Sequence, residues 1–276
     1  FDVTLLRKTI EHYHPVAVIH FAAHAYVGES VEHPLKYYRN NVGGTLALLE
    51  AMQCCGLDKL VFSSTCATYG VPSVPAISEA CPQLPINPYG QSKLMVEKIL
   101  SDMSSRAQMT FVALRYFNAA GADEDCEIGE KHDPETHLIP LAIRAGMDGT
   151  VLNVFGTDFP TADGSAVRDY IHVYDLATAH IAALDYLLRG GRSDCFNLGT
   201  GKGCSVREII NTLRALGIPV KFTEAPRRDG DPACLVADPQ KAMNVLNWRV
   251  RFNSIEKILA SAIAWHKGCL VGNNDR

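Results

Sequence analysis

A doubly wound, parallel α/β sheet carrying a smaller α/β lobe is the fold class the sequence predicts, on three observations. Short apolar runs lack the polar alternation of a half-exposed strand, stretches of helical period separate them, and polar residues gather where the runs end. Val16 to Phe21 reads as the first strand, Asn41 to Cys55 as a helix and Lys59 to Ser64 as the second strand. Tyr89 to Ser105 reads as the next helix and Thr110 to Arg115 as the third strand. Parallel strands joined by crossover helices require that alternation. After Asn118 the pattern loosens into the polar stretch Ala122 to Thr136, then resumes with a helix from about Leu138 and a strand at Val151 to Phe155. Asp175 to Leu188, Ser205 to Leu216 and Ser254 to His266 carry apolar residues at helical spacing. Ser205 with Glu208 three residues on makes a capping box for the second of these. The expected division is residues 1–117 and 118–276, with segments near 165–200 returning to the first lobe.

Composition narrows the function classes. The 276 residues, 47% hydrophobic and 20% charged, suffice for a sizeable core shared by two associated lobes. A formal net charge of -4 gives no basic bias towards nucleic acid, and no apolar run approaches the ~20 residues that span a membrane. Nine cysteines, an odd number without a Cys-x-x-Cys pair, read as free thiols in a reducing, cytoplasmic setting rather than as disulfides or a zinc site. The ten histidines suggest no metal arrangement; His20 at a strand end and His172 beside Tyr170 read as core or supporting residues.

The chemistry-bearing stretch is Tyr89-Gly90-Gln91-Ser92-Lys93, a phenol and an ammonium four residues apart at the start of a predicted helix. That spacing puts both on one face, about 5–6 Å apart at Cβ. A nearby cation favours the phenolate and can turn a tyrosine of ordinary pKa about 10 into a base for an alcohol proton. Two fixed residues recur by chance in many helices, so the pair gains meaning from its surroundings. Upstream, Leu60-Val61-Phe62-Ser63-Ser64-Thr65 is an apolar run ending in three hydroxyls. Buried parallel strands deliver polar groups in this way at their carboxyl ends, where ligands of open α/β sheets bind. Thr65, Tyr89 and Lys93 are the candidate catalytic group. The alternative for Ser63 to Thr65 is simple capping of the next turn.

Through Ser63-Ser64-Thr65-Cys66-Ala67-Thr68-Tyr69-Gly70, Asn87-Pro88-Tyr89-Gly90-Gln91-Ser92-Lys93 and Arg115-Tyr116-Phe117-Asn118, the chain resembles the extended short-chain dehydrogenase/reductase superfamily. Within it, the chain is most similar to the UDP-glucose 4-epimerase family. His20-Phe21-Ala22-Ala23, Val27-Gly28-Glu29-Ser30, Asn40-Asn41-Val42-Gly43-Gly44-Thr45 and Val167-Arg168-Asp169-Tyr170-Ile171-His172-Val173 follow that family's order. So do Asn197-Leu198-Gly199-Thr200-Gly201 and Pro226-Arg227-Arg228-Asp229-Gly230-Asp231. The resemblance implies a Rossmann-like lobe for NAD, a lobe for a UDP-sugar, and a homodimer through the helices around Asn41 to Cys55 and Tyr89 to Ser105. It also implies a Gly-rich phosphate turn ahead of Phe1, with on the order of 60 residues in two strand–helix units. On that expectation the sequence is a fragment that binds NAD poorly alone. Gly199-Thr200-Gly201-Lys202-Gly203 has the wrong spacing for that turn and reads as a loop.

By the same resemblance, Phe21, Ala25, Asn40, Ser63, Tyr89, Lys93, Tyr116 and Phe117 contact NAD. Ala25 stands where some relatives carry a lysine, so one phosphate contact is expected to be missing. Asn118, His137 and Leu138 border the substrate diphosphate, the backbone of Asn153, Val154 and Phe155 meets the uracil, and Asp231 holds a ribose hydroxyl. His137 departs from the asparagine often found there. Arg168 and Arg228 fall on phosphate positions, a task that suits planar guanidinium groups, with surface salt bridges as the alternative. Leu235 lies beside the sugar, where some strict glucose/galactose enzymes carry a tyrosine.

The implied reaction interconverts UDP-glucose and UDP-galactose through a 4-keto sugar. Tyr89 takes the 4-hydroxyl proton with help from Thr65, and NAD+ takes and returns the hydride. Dehydratases and decarboxylases of this fold place an Asp-Glu pair or a Glu after the Ser/Thr, whereas Cys66 and Ala67 stand here. A UDP-pentose 4-epimerase and a non-catalytic nucleotide-binding protein are the alternatives. The size of Leu235 leads to UDP-GlcNAc as an expected further substrate.

Overall fold

Strands form in the computed structural model where the apolar runs end in polar residues; it describes residues 1–228 and 230–272. The strands are β1 (Val18–His20), β2 (Lys59–Thr65), β3 (Thr110–Tyr116), β4 (Asn118–Ala120) and β5 (Val151–Phe155), then β6 (Val167–His172), β7 (Asp194–Leu198), β8 (Gly203–Ser205), β9 (Lys221–Ala225) and β10 (Cys234–Leu235). The helices are α1 (Val3–Tyr13), α2 (Val27–Glu32), α3 (Pro34–Tyr37), α4 (Gly44–Cys54) and α5 (Pro88–Ser105), then α6 (Leu138–Asp148), α7 (Val173–Leu188), α8 (Val206–Ala215), α9 (Gln240–Val245) and α10 (Ile255–Gly272).

The first sheet is parallel throughout, in the order β1-β2-β3-β7. Alternate residues of each strand go to opposite faces. Leu60 and Phe62 of β2 pack with Leu49 and Met52 of α4 and Val96 and Leu100 of α5. Val61 packs on the other face with Leu176, Ala179, Ala183 and Leu187 of α7. Burial on both faces is why the strand reads as an unbroken apolar run. A second sheet joins β10, β6 and β4 in parallel, with β8 antiparallel on β6, and β5 pairs with β9. Its core draws on α6, α8 and α10, through residues such as Ile143, Leu213 and Leu259. Within residues 165–200, β6 belongs to this second sheet, α7 lies on the first sheet and β7 extends it.

The predicted helix from Asn41 begins earlier, in a turn of π-helix at Tyr38–Gly43 that runs into α4. The predicted capping box is present: Glu208 N–H donates to Ser205 Oγ at 3.0 Å and Ser205 N–H to the Glu208 carboxylate at 2.6 Å. The Gly199–Gly203 stretch is a turn, held by Asp169 through the N–H groups of Thr200 and Gly201. Asp229, in the Arg-Arg-Asp-Gly-Asp motif, and the Cys269 side chain lie outside the described residues.

Candidate active site

The carboxyl ends of β1, β2 and β3 lie side by side and carry Phe21, Ser63 to Thr65, and Tyr116 with Phe117. α5 brings Tyr89 to this edge. Its start is fixed by Pro88 in the first turn and by Asn87, whose Oδ1 accepts the Gly90 N–H at 2.8 Å. Gly90 permits the close approach: a Cβ there would stand 2.5 Å from the Ala67 carbonyl oxygen, so a side chain would push the helix off the loop after β2.

The Thr65 hydroxyl does two things. It caps the turn Cys66–Tyr69 by accepting the Ala67 N–H at 3.1 Å, and it interacts with the Tyr89 phenol. Lys93, one turn on, is buried; its ammonium donates to the Ser63 carbonyl at 2.7 Å and sits over the Phe62 ring. Burial lowers the Lys93 pKa to about 8 against the opposing pull of Glu97. Here the structure corrects the expected activation. The Tyr89 pKa is raised, first by burial and then by the nearby Tyr116, and only the Thr65 hydrogen bond pulls it down. Helical spacing puts the two residues on one face, but the Lys93 ammonium is spent on Ser63, and within the protein desolvation outweighs it.

Support for this edge comes from a buried network that sequence spacing does not display. Arg115 donates to both Glu97 oxygens, and Ser64 Oγ and Gln83 also donate to that carboxylate. Arg115 Nη1 donates to the Tyr69 hydroxyl at 2.8 Å, which donates in turn to Asn197 Oδ1. Ser63 Oγ and the Tyr116 hydroxyl share a hydrogen bond. Asn41 accepts the His24 N–H and donates to Ser92 Oγ, tying α5 to the loop after β1. Asn40 donates to Asn41, and Ala25 is exposed on that loop. His20 and His24 are four residues apart, but one ends β1 and the other lies in the loop, so they present no shared helical face; His20 pairs with Thr45 Oγ1.

These groups suit NAD. Phe21 is 57% exposed at the sheet edge, beside the paired hydroxyls of Ser63 and Tyr116 and ahead of a buried cation. Behind it the His180 ring lies 4.6 Å from Phe21, and His180 Nε2 is a buried atom without a partner among the described residues.

Among the residues expected to meet substrate, Arg168 of β6 pairs with Asp231 and donates to the Val167 carbonyl. Leu235 lies opposite Arg168 in the β10–β6 register and packs against the cluster of Cys66, Tyr69 and Phe117, which brings this strand to the Thr65 edge. Asn118 opens β4 one residue after Phe117. The Arg228 guanidinium covers the Phe155 ring at 4.0 Å. Asn153 and Phe155 alternate with the buried Val154, and β5 pairs along one edge only among the described strands. Leu138 starts α6, whose first turn carries no acidic residue and no side-chain cap. His137 goes elsewhere than expected: its Nδ1 hydrogen-bonds Glu130, with Glu135 alongside, so the imidazole is held by carboxylates. Glu130, His132, Glu135 and His137 form a ligand-type cluster that corrects the reading of the histidines as lacking any metal arrangement. The signal was His-x-x-Glu-x-His at 132, 135 and 137, in a loop without periodicity. His172 is buried as expected, stacked on Phe252.

The chain is 49% identical over 261 residues to the UDP-glucose 4-epimerase of Lacticaseibacillus casei, an alignment covering 94% of this chain and 79% of that one. Among solved structures, UDP-glucose 4-epimerase from Brucella ovis in complex with NAD is 51% identical with a TM-score of 0.92, covering 95% of this chain and 82% of that one. The UDP-Glc/GlcNAc 4-epimerase from Campylobacter jejuni is 42% identical with a TM-score of 0.83, covering 97% and 82%. Residues 1–199 match the model of the NAD dependent epimerase/dehydratase family, and the chain belongs to that family.

Proposed function

We propose that this chain is an NAD-dependent epimerase that interconverts UDP-glucose and UDP-galactose, a reading supported by the relatives' names and carried by one observation. The fold gathers Thr65, Tyr89 and Lys93 at the carboxyl edge of the parallel sheet, beside a strand that presents Arg168. Residues 1–117 supply the cofactor side and 118–276 the substrate side. Phe21, Asn40, Ser63, Lys93, Tyr116 and Phe117 would hold NAD, with Ala25 adding no charge. When bound, NAD accepts and returns the C4 hydride and adds a positive ring charge near the phenol.

Tyr89 Oη takes the proton of the sugar 4-hydroxyl and gives it back on the other face of the sugar. The Thr65 hydroxyl holds the same oxygen and passes the proton. Lys93 fixes the β2 end through the Ser63 carbonyl. Arg168 and Arg228 hold the diphosphate with the Asn118 and Leu138 positions. The free edge of β5 at Asn153 to Phe155 meets the uracil, and Asp231 takes the ribose once Arg168 turns to phosphate. Firm nucleotide anchoring with loose sugar contacts lets the keto sugar rotate.

The test is conversion of UDP-galactose to UDP-glucose with NAD supplied. Formation of UDP-glucose is expected; a preparation that binds NAD and converts neither sugar would overturn the reading. UDP-GlcNAc is proposed as a further substrate, since Leu235 is shorter than tyrosine beside the sugar. Leu235→Tyr should lower UDP-GlcNAc turnover roughly tenfold or more while sparing UDP-glucose, a discrimination available from pocket size. Equal turnover of UDP-GlcNAc by both proteins would remove Leu235 from sugar choice.

A homodimer through α4 and α5 is proposed, in keeping with exposed Leu46 and Met95 on those helices, and is read by light scattering. A reducing, cytoplasmic setting is proposed in keeping with the eight free cysteines among the described residues. Among the described residues, no helix is long and apolar enough to cross a membrane.

A further inference from the structure

The polar loop between β4 and α6 folds four metal-ligand side chains onto one another. Glu130, His132, Glu135 and His137 each bring one donor atom within 4.8 Å of all the others. His132 Nδ1 is 3.2 Å from Glu130 Oε1 and 3.7 Å from Glu135 Oε1, and His137 Nδ1 is 3.7 Å from Glu135 Oε1. Four donors around one ion, at the ~2.1 Å of zinc–imidazole and zinc–carboxylate bonds, stand about 3.4 Å apart on the edges of a tetrahedron. Three of the measured separations bracket that length. The fourth, His137 Nδ1 to Glu130 Oε1, is a hydrogen bond, and a cation taking the place of its proton would open it.

The cluster is braced from behind. The Glu135 side chain is 2% exposed, and its Oε1 accepts the N–H groups of Thr136 and His137 at 2.8 Å each, one of which a cation at that oxygen would displace. The Glu130 carbonyl accepts the Trp265 indole N–H at 3.1 Å, which ties the loop to α10. The Tyr26 ring packs edge-on against His132 at 5.5 Å. His137 directly precedes the first residue of α6. Fixed carboxylates and buttressed imidazoles are the outer support that metal ligands need. Both imidazoles turn the same nitrogen, Nδ1, to the same two carboxylates, an arrangement that suits zinc, cobalt or manganese better than calcium or magnesium.

We propose that Glu130, His132, Glu135 and His137 bind one divalent transition-metal cation of the zinc class, pinning the loop of residues 122–137 to the start of α6. Each imidazole binds as the neutral ring, and the proton shared by His137 and Glu130 leaves to solvent, so affinity rises with pH. The cation takes no part in the hydride chemistry, and the proposal does not rest on the epimerase reading.

Cobalt(II) chloride, titrated into the intact protein, is the probe. One saturable equivalent is expected, with the visible bands of a four-coordinate nitrogen and oxygen site, no thiolate charge-transfer band, and displacement by zinc. His132→Ala and, separately, Glu130→Gln should weaken binding by at least ~10-fold, since even loss of an outer-shell partner does so. Neither exchange should change the circular dichroism of the metal-free protein. Bound cobalt should slow amide exchange across residues 130–137 in the native chain and not in His132→Ala. A thiolate band, no saturable binding, or equal binding by both variants would overturn the site. Unchanged exchange on loading would overturn the pinning.

Discussion

Glu97 of α5 and Arg115 of β3 have side chains 5% and 6% exposed, whereas those of Arg168 and Asp231, expected on the substrate side, are 13% and 26% exposed. Both are Arg–carboxylate pairs, yet their surroundings differ. The first is closed on itself, with Ser64, Gln83 and Tyr69 occupying the remaining donors and acceptors. The second has few other partners, and its two members are those the family resemblance assigns to phosphate and ribose. A closed pair fixes position: it holds β2, β3 and α5 so that Thr65 and Tyr89 stay together. An open pair can be exchanged for a ligand, and in the proposed reading a UDP-sugar would replace one charge partner of Arg168 with another.

Unpairing the closed side should have the largest effect. Glu97→Ala leaves the Arg115 guanidinium buried and uncompensated, which should cost about 3–5 kcal/mol in urea unfolding. Replacing both residues by methionine should recover much of that loss, because the desolvation penalty goes with the charges. A Glu97→Ala protein of native stability would mean that the network does not hold the edge.

On the open side, Arg168→Ala should cost less stability than Glu97→Ala, because Asp231 keeps more contact with water, and should raise the KM for the UDP-sugar roughly tenfold or more, the worth of one charge-assisted phosphate contact. The kcat should change little, since uniform binding is what is lost. A large fall in kcat with unchanged KM would move Arg168 from anchoring to the reacting end of the sugar.

The smallest effect concerns His20, whose pKa is lowered to about 4 by burial and then by the Lys93 charge. In the unfolded chain it returns to its usual 6.5. Between those values the unfolded state binds a proton that the folded state refuses, so this group makes stability fall as pH drops from 6.5 to 4 and has no effect above that window. His20→Gln should flatten that part of the stability profile. An unchanged profile would show that His20 accepts its proton without strain in the fold.

Much of the fold was legible because it depends on local pattern. β2, β3 and β5 stand where unbroken or alternating apolar runs predict them, and α8 begins at its capping box. α2 and α3, of six and four residues, are too short to show a period. The candidate site was legible at Tyr89, Lys93 and Thr65, where a motif fixes both residue type and spacing. Its supports were not, because they are long-range: Tyr69 meets Asn197 across 128 positions and Ser64 meets Glu97 across 33. The phenol's electrostatics also escaped the sequence, which gives the presence of a lysine but not the direction its ammonium takes. His137 was misplaced for a similar reason, since a loop without periodicity gave no sign that Glu130 would turn back to it.

In the proposed mechanism Tyr89 is the group that moves the sugar proton. The direct measurement is the rate of UDP-galactose conversion by Tyr89→Phe, with UDP binding and circular dichroism recorded on the same preparation. Loss of the general base should lower turnover by at least ~10² while nucleotide binding and fold are retained. A near-native rate from a folded Tyr89→Phe protein would contradict the mechanism and return the proton to another group at this edge.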